Sequence, residues 1–152
     1  QVPLYLSPYI ELHKQAYYAA LKQAQQKLNW LPLIGFVSTA IVQTVQELRI
    51  TREALRTLHA VWLTRRSFRE GSAALRALDI LKDYPVLTTL KLGTLLSITP
   101  PAANTAINQL CQAGILTERT GYARNRIYAA DEVLGILNRP FSEEPIVPKT
   151  DR

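Results

Sequence analysis

The sequence predicts a mainly helical protein: a helical hairpin or bundle, followed by a unit of shorter helices that carries a small two-stranded β element. Three observations predict it. Apolar residues recur at three- and four-residue steps through Leu33, Ile34, Val37, Ile41, Val45 and Leu48, the period of a helix face. From Ser72 onward Pro85, Thr99-Pro100-Pro101, Gly114 and Gly121 cut the chain into short pieces. Residues 115–119 and 126–129 read as two strands around the polar tip 120–125.

Taken in order, Ser7-Pro8 reads as an N-cap followed by proline at the first helical position, and Glu11 adds negative charge near the positive helix end. This predicts a helix over residues 8–28, with Ile10, Tyr17, Leu21 and Leu28 on its apolar side. After a break at 29–32 the stripe runs past Leu48 through Leu55, Leu58 and Trp62. That is either one long helix reaching Arg69 or two stacked ones, with Thr51 as the cap of the second. Residues 28–46 are free of charge, nearly long enough to span a bilayer, but the helical stripe and the polar Asn29, Gln43 and Gln46 favour a buried amphipathic helix over a membrane span.

The basic stretch from Arg65 to Gly71 suits a helix end, so the expected organisation is a helical region over 1–70, a second domain over 71–139 and a flexible tail over 140–152. Ser72 caps a helix carrying Leu75, Leu78, Ile80 and Leu81, which Tyr84-Pro85 stops. A short helix over 90–96 carries Leu92, Leu95 and Leu96. Thr99 caps the next helix, which the prolines open and which buries Ala103, Ile107 and Leu110 before Gly114 ends it. After the β hairpin, Asp131 caps a last helix with Val133, Leu134 and Leu137 inward.

Three helices, the second and third joined by a tight turn, then a hairpin and a further helix, follow the order of a winged helix-turn-helix domain. In such domains the second helix of the pair enters the DNA major groove and the hairpin wing lies on the backbone or minor groove. The outward face of that helix offers Asn104, Thr105, Asn108 and Gln112, side chains able to pair with adenine edges, with Thr99 at its start. Arg124, Asn125 and Arg126 sit at the wing tip and Arg119 on its first strand, where guanidinium groups meet phosphates; Lys91 is a secondary candidate. The expected partner is therefore double-stranded DNA. Against strong binding, residues 92–117 hold no charged side chain. The alternative is a protein-interaction or dimerisation module, with the same polar residues as a solvated face and the N-terminal helices pairing two copies.

Leu4-Tyr5-Leu6-Ser7-Pro8-Tyr9-Ile10-Glu11, Tyr17-Tyr18 and Trp30 resemble the segment that follows the catalytic motif in Fic-family proteins. Ala103-Asn104-Thr105-Ala106-Ile107, Gly114-Ile115-Leu116, Thr120-Gly121 and Arg124-Asn125-Arg126-Ile127-Tyr128 are similar to the winged helix at the C-terminus of many of them, so the resemblance covers roughly residues 4–138. Fic enzymes transfer AMP from ATP to a hydroxyl of a target protein, through a histidine on a loop that runs into a phosphate-binding turn of glycine and arginine. His13 and His59 are followed by neither Pro-Phe nor such a turn, so no catalytic residue carries over. The resemblance implies a DNA-binding regulatory part of an AMP-transferring parent, not itself an enzyme.

Composition narrows the classes further. With 47% hydrophobic and 20% charged residues the chain is that of a globular protein with a core. One cysteine, Cys111, excludes a disulfide framework and a cysteine-built zinc site, and points to a reducing cytoplasm. Cys111 reads as a packing residue, the two histidines as ordinary helix residues, and Tyr122 as loop decoration, so neither metal, cofactor nor small-molecule substrate is expected. The first residue is Gln and no leader pattern follows, which reads as a piece of a longer protein. The net charge of +6 suggests an anionic partner, yet residues 1–70 hold nine basic and four acidic groups and residues 71–139 only seven and five. Charge alone therefore does not pick out the DNA-binding half.

Overall fold

The structure, a computed structural model, describes residues 4–122 and 125–148. Among these it holds seven helices and three short strands, a mainly helical fold with a small antiparallel sheet. By packing, the chain divides into two units, Gln1–Arg52 with Pro140–Glu144, and Glu53–Arg139 with Pro145–Arg152.

In the first unit Pro8 occupies the first turn of α1 (Ser7–Leu12), as its fixed φ and missing N–H allow. Ser7 itself lies inside the helix; the N-cap is Leu6, which has no side-chain acceptor. The helix expected over 8–28 is divided at His13, where φ −112° and ψ 32° leave the helical region, and α2 (Lys14–Lys27) ends at Leu28 in the left-handed region with φ 51°. Then α3 (Leu31–Arg65) runs for 35 residues without interruption, so Thr51 caps nothing and the long-helix alternative is the one adopted. Phe36 holds the start of α3 to the preceding helices, with ring centroids 5.6 Å from Tyr9 and 5.5 Å from Tyr17.

Burial in this unit overturns the expected polarity of α3. The buried positions are Tyr9, Ala20, Ala24, Ala40 and Thr44, small residues for the most part. Ile34, Val37, Ile41, Val45 and Leu48, expected to face a core, are all exposed, as is Leu28. Small side chains let helices approach closely, so the narrow Ala40–Thr44 edge is the one the unit covers and the bulkier stripe beside it is left outside. Among the described residues α3 is also the helix long and apolar enough to cross a bilayer by length and composition.

The second unit has a conventional core. Ala54, Leu58 and Trp62 from the last turns of α3 join it, which is why the packing boundary falls inside that helix rather than at residue 70. Ser72 Oγ accepts from the Leu75 N–H at 3.2 Å and opens α4 (Ala73–Asp83), which buries Ala74, Ala77, Leu78 and Leu81. Pro85 leads directly into β1 (Val86–Thr88), a strand the sequence reading did not contain, so the sheet has three strands instead of two. Thr88 ends that strand and caps α5 (Thr89–Leu96), its Oγ1 accepting from the Lys91 N–H at 3.2 Å.

Next, α6 (Pro100–Gln112) buries Ala103, Ala106, Ile107 and Leu110. Gly114, at φ +66°, turns the chain toward β2 (Thr117–Glu118) and then β3 (Ile127–Ala129). The sheet order is β1-β3-β2, antiparallel throughout, with Leu87 opposite Tyr128 and Glu118 opposite Tyr128 on the other side. In α7 (Asp131–Leu137) the cap position is Ala130, not Asp131, which lies in the first turn where its charge favours the positive end. Its inward residues are Val133 and Ile136, while Leu137 is exposed. Of the tail, Val147 packs against the second core and Phe141 lies 5.8 Å from the Tyr9 ring in the first unit.

A polar clasp ties α7 to the end of α3. Glu132 accepts from the Trp62 indole N–H at 2.7 Å and pairs in two-pronged fashion with Arg65, at 2.5 and 3.0 Å. Arg65 also donates to the Gly114 carbonyl at 3.3 Å, so one guanidinium links α3, α7 and the end of α6. Both Glu132 oxygens, the indole N–H and both terminal guanidinium nitrogens have partners, the condition under which such a network costs little.

Candidate functional site

The turn between α5 and α6 is tight because its residues meet specific backbone demands. Ser97 takes the left-handed conformation at φ 54°, and the Ile98 N–H returns to the Gly93 carbonyl at 3.0 Å. Gly93 has no side chain to interfere; a Cβ there would stand 3.3 Å from the Ile98 carbonyl oxygen. Pro100 and Pro101 then start α6 where no N–H is needed, and Thr99 occupies the cap position without a side-chain hydrogen bond, contrary to its expected capping role.

With Ala103, Ile107 and Leu110 turned inward, α6 presents Asn104, Thr105 and Asn108 to solvent. Asn104 and Asn108, one turn apart, line a cleft of about 590 Å³. Its other walls are Thr88, Thr89 and Leu90 where β1 meets α5, Pro100, and Asn125, Arg126 and Tyr128 from the β2–β3 connection. The cleft thus gathers three carboxamides, three hydroxyls and a guanidinium around a patch of apolar surface. The carboxamides and hydroxyls both donate and accept hydrogen bonds, as the edges of nucleobases do, while the guanidinium only donates.

The remaining candidates are placed differently. The Thr105 hydroxyl donates to the Pro101 carbonyl at 3.0 Å, within its own helix. Gln112 accepts from Arg66 at 2.9 Å and does not line the cleft. Arg119 pairs with Asp131, also away from the cleft. Arg126 lines the cleft while its Nε donates to the Tyr122 carbonyl at 2.9 Å and its Nη1 lies 3.3 Å from Glu118. Asn125 is at φ 54°, a conformation asparagine tolerates better than most residues. Arg124 falls outside the described residues. Lys91 sits with its ammonium 5.2 Å from the Tyr84 ring centroid, and Tyr122 is exposed.

Thr88, Thr89, Leu90 and Tyr128 were not among the expected site residues: Thr88 belongs to the unforeseen strand β1, Tyr128 pairs with it, and Thr89 and Leu90 open α5 directly after it. Gly93, too, carried a signal in hindsight: a glycine inside a short helix just before a turn marks a close backbone approach.

The other titratable groups form no site of comparable promise. Among the described residues there is no group of three or more His, Cys, Asp or Glu able to hold a metal ion. Burial pushes the Cys111 thiol up, as does the charge of Glu118, which works against a nucleophilic role. His59 Nε2 lies 3.4 Å from Asp79, a neighbour its sequence position did not reveal, and Asp79 is shared with Lys82 at 2.8 Å.

His59 gives a pH prediction. Burial first, then the Lys82 charge, lowers its pKa below 6.5 against the opposing pull of Asp79. A basic group with a depressed native pKa binds its proton more readily when unfolded. Stability is therefore complete above about pH 6.5 and falls as the pH drops toward the native value. Asp79, held below 3.8 chiefly by the Lys82 hydrogen bond, adds a second loss at still lower pH. In urea titrations His59→Gln should remove the decline that sets in below about pH 6.5 and keep the later one. An unchanged slope in that window would exclude His59 as its source.

No protein-family model matches this chain, and no curated protein matches it.

Proposed function

We propose that residues 71–139 form a winged helix-turn-helix domain that binds double-stranded DNA, with α6 as the recognition helix and the β2–β3 connection as the wing. The reading rests above all on the cleft, in which Asn104 and Asn108 of α6 stand beside Asn125 and Arg126 of the β2–β3 connection. The order α4, β1, α5, α6, β2, β3 supports it, as does the close α5–α6 turn at Gly93. Asn104 and Asn108 would read adenine edges, and Lys91, Arg124 and Arg126 would meet phosphates. On the resemblance to Fic-family proteins, the chain is the regulatory part of an AMP-transferring parent and performs no catalysis itself.

The pairing of Arg126 with Glu118 does not remove it from this role. Both side chains are substantially exposed, so the pair is worth at most about 1 kcal/mol and exchanges readily for a phosphate. Three phosphate contacts predict that log K falls against log salt with a slope of about −3. Fluorescence anisotropy with duplex DNA at two salt concentrations measures it. Absence of salt-sensitive binding to any duplex would favour the second reading, a protein-interaction module. That reading draws on the uncharged stretch 92–117 and on the internal pairing of Arg119 with Asp131.

A further inference from the structure

The exposed apolar stripe of α3 has an internal symmetry that identifies its partner. Trp30, whose carbonyl accepts the Ile34 N–H at 3.0 Å and so begins the helical hydrogen bonding, is followed by Ile34, Val37, Ile41, Val45 and Leu48, and then by Arg52. The steps are 4, 3, 4, 4, 3 and 4, the same read from either end, with Ile41 at the centre. At 3.6 residues per turn all seven positions fall within an arc of roughly 80° along about 33 Å of helix. Each of them is exposed. A two-fold interface requires a surface that is complementary to itself, residue i meeting j as j meets i.

We infer that two copies of the chain associate through antiparallel α3 helices crossing at Ile41. Ile34 then meets Leu48 of the second copy, Val37 meets Val45, and Ile41 meets its own equivalent.

Charge selects this orientation. Arg52 closes the stripe at one end and Trp30 at the other, so antiparallel pairing sets each guanidinium against an aromatic ring, a favourable contact. Parallel pairing would oppose Arg52 to Arg52, with Arg49 flanking Arg49. The N-terminal half of α3, residues 31–46, is uncharged and meets no like charge from the other copy. A bilayer is the poorer occupant: α3 as a whole is long enough to cross one, but its uncharged 16 residues span only about 24 Å of a hydrocarbon core of about 30 Å, and they include Ser38, Thr39, Gln43, Thr44 and Gln46. The inference is independent of DNA binding.

Sedimentation velocity over a concentration series tests it on the full chain. The wild type should dimerise, and Ile41→Glu, placing two carboxylates face to face at the two-fold axis, should raise the dissociation constant by roughly 100-fold or more. Ile41 is exposed, so the variant should keep its far-ultraviolet circular dichroism. Register is read by disulfide trapping in a Cys111→Ser background: Ile41→Cys should cross-link with itself, and Ile34→Cys only when mixed with Leu48→Cys. A monomer at all concentrations overturns the proposal, as does a dimer indifferent to Ile41→Glu. Self-cross-linking of Ile34→Cys overturns the antiparallel register. Flotation with phosphatidylcholine vesicles that Ile41→Glu abolishes, without dimerisation, would assign the stripe to a membrane instead.

Discussion

Replacing Trp62 with Ala is expected to lower the stability of the second unit by about 3–5 kcal/mol, a large share of what a domain of this size possesses. The side chain is fully buried and belongs to the same cluster as Leu58, Leu78 and Ile136, so its removal leaves a cavity that a close-packed interior cannot collapse around. The loss has a polar part as well, since Glu132 forfeits the indole hydrogen bond at 2.7 Å. Trp62→Phe separates the two. It keeps most of the apolar volume and leaves Glu132 paired with Arg65, so it should cost no more than about 2 kcal/mol. Urea unfolding followed by far-ultraviolet circular dichroism measures both. Equal costs for Phe and Ala would mean that the hydrogen bond, not the packing, secures α7 to α3.

The second large effect concerns the cleft. On the DNA-binding reading, changing Asn104 and Asn108 together to Ala should cost roughly 2–5 kcal/mol of preference for the best duplex, a factor of about 30 or more, while non-specific binding stays near its original strength. Changing Arg124 and Arg126 to Ala should do the reverse. All sequences weaken alike, and the salt slope becomes shallower by about 2. The contrast is what matters: bases are read by carboxamides and phosphates by cations, so the two double variants must differ in kind. Parallel losses on preferred and arbitrary duplexes for both variants would remove the assigned roles. Because Asn104 and Asn108 are exposed, the change does not disturb the core around Ile107 and Leu110.

The parts of this molecule that were legible in its sequence are those governed by neighbours along the chain. Ser72 as a cap, the prolines at the start of α6, Gly114 as the left-handed terminus and the inward set Ala103, Ile107 and Leu110 all follow from local rules. What escaped notice depends on distant partners. The strand β1 is three residues long, too short for any period to show, and exists because β3 pairs with it some forty residues later. The same limit hid four cleft residues and the neighbour of His59. The stripe of α3 misled for a different reason. Its period correctly announced a helix, but period does not tell which flank of a broad apolar arc is covered, and here the small residues Ala40 and Thr44 are the buried ones. Among the candidate residues, Asn104, Asn108, Asn125 and Arg126 converge, whereas Gln112 and Arg119 were drawn into pairs that no spacing rule anticipates.

The three strands also govern how the protein behaves when crowded. A sheet can recruit foreign chain only along an outer strand, and both outer strands here are cut short. On one side β1 offers three residues between Pro85, which has no N–H to give, and the immediate onset of α5. On the other, β2 offers two. An intruding strand would find too few hydrogen bonds to hold it, so among the described residues of the second unit this sheet offers fibrillar growth no template.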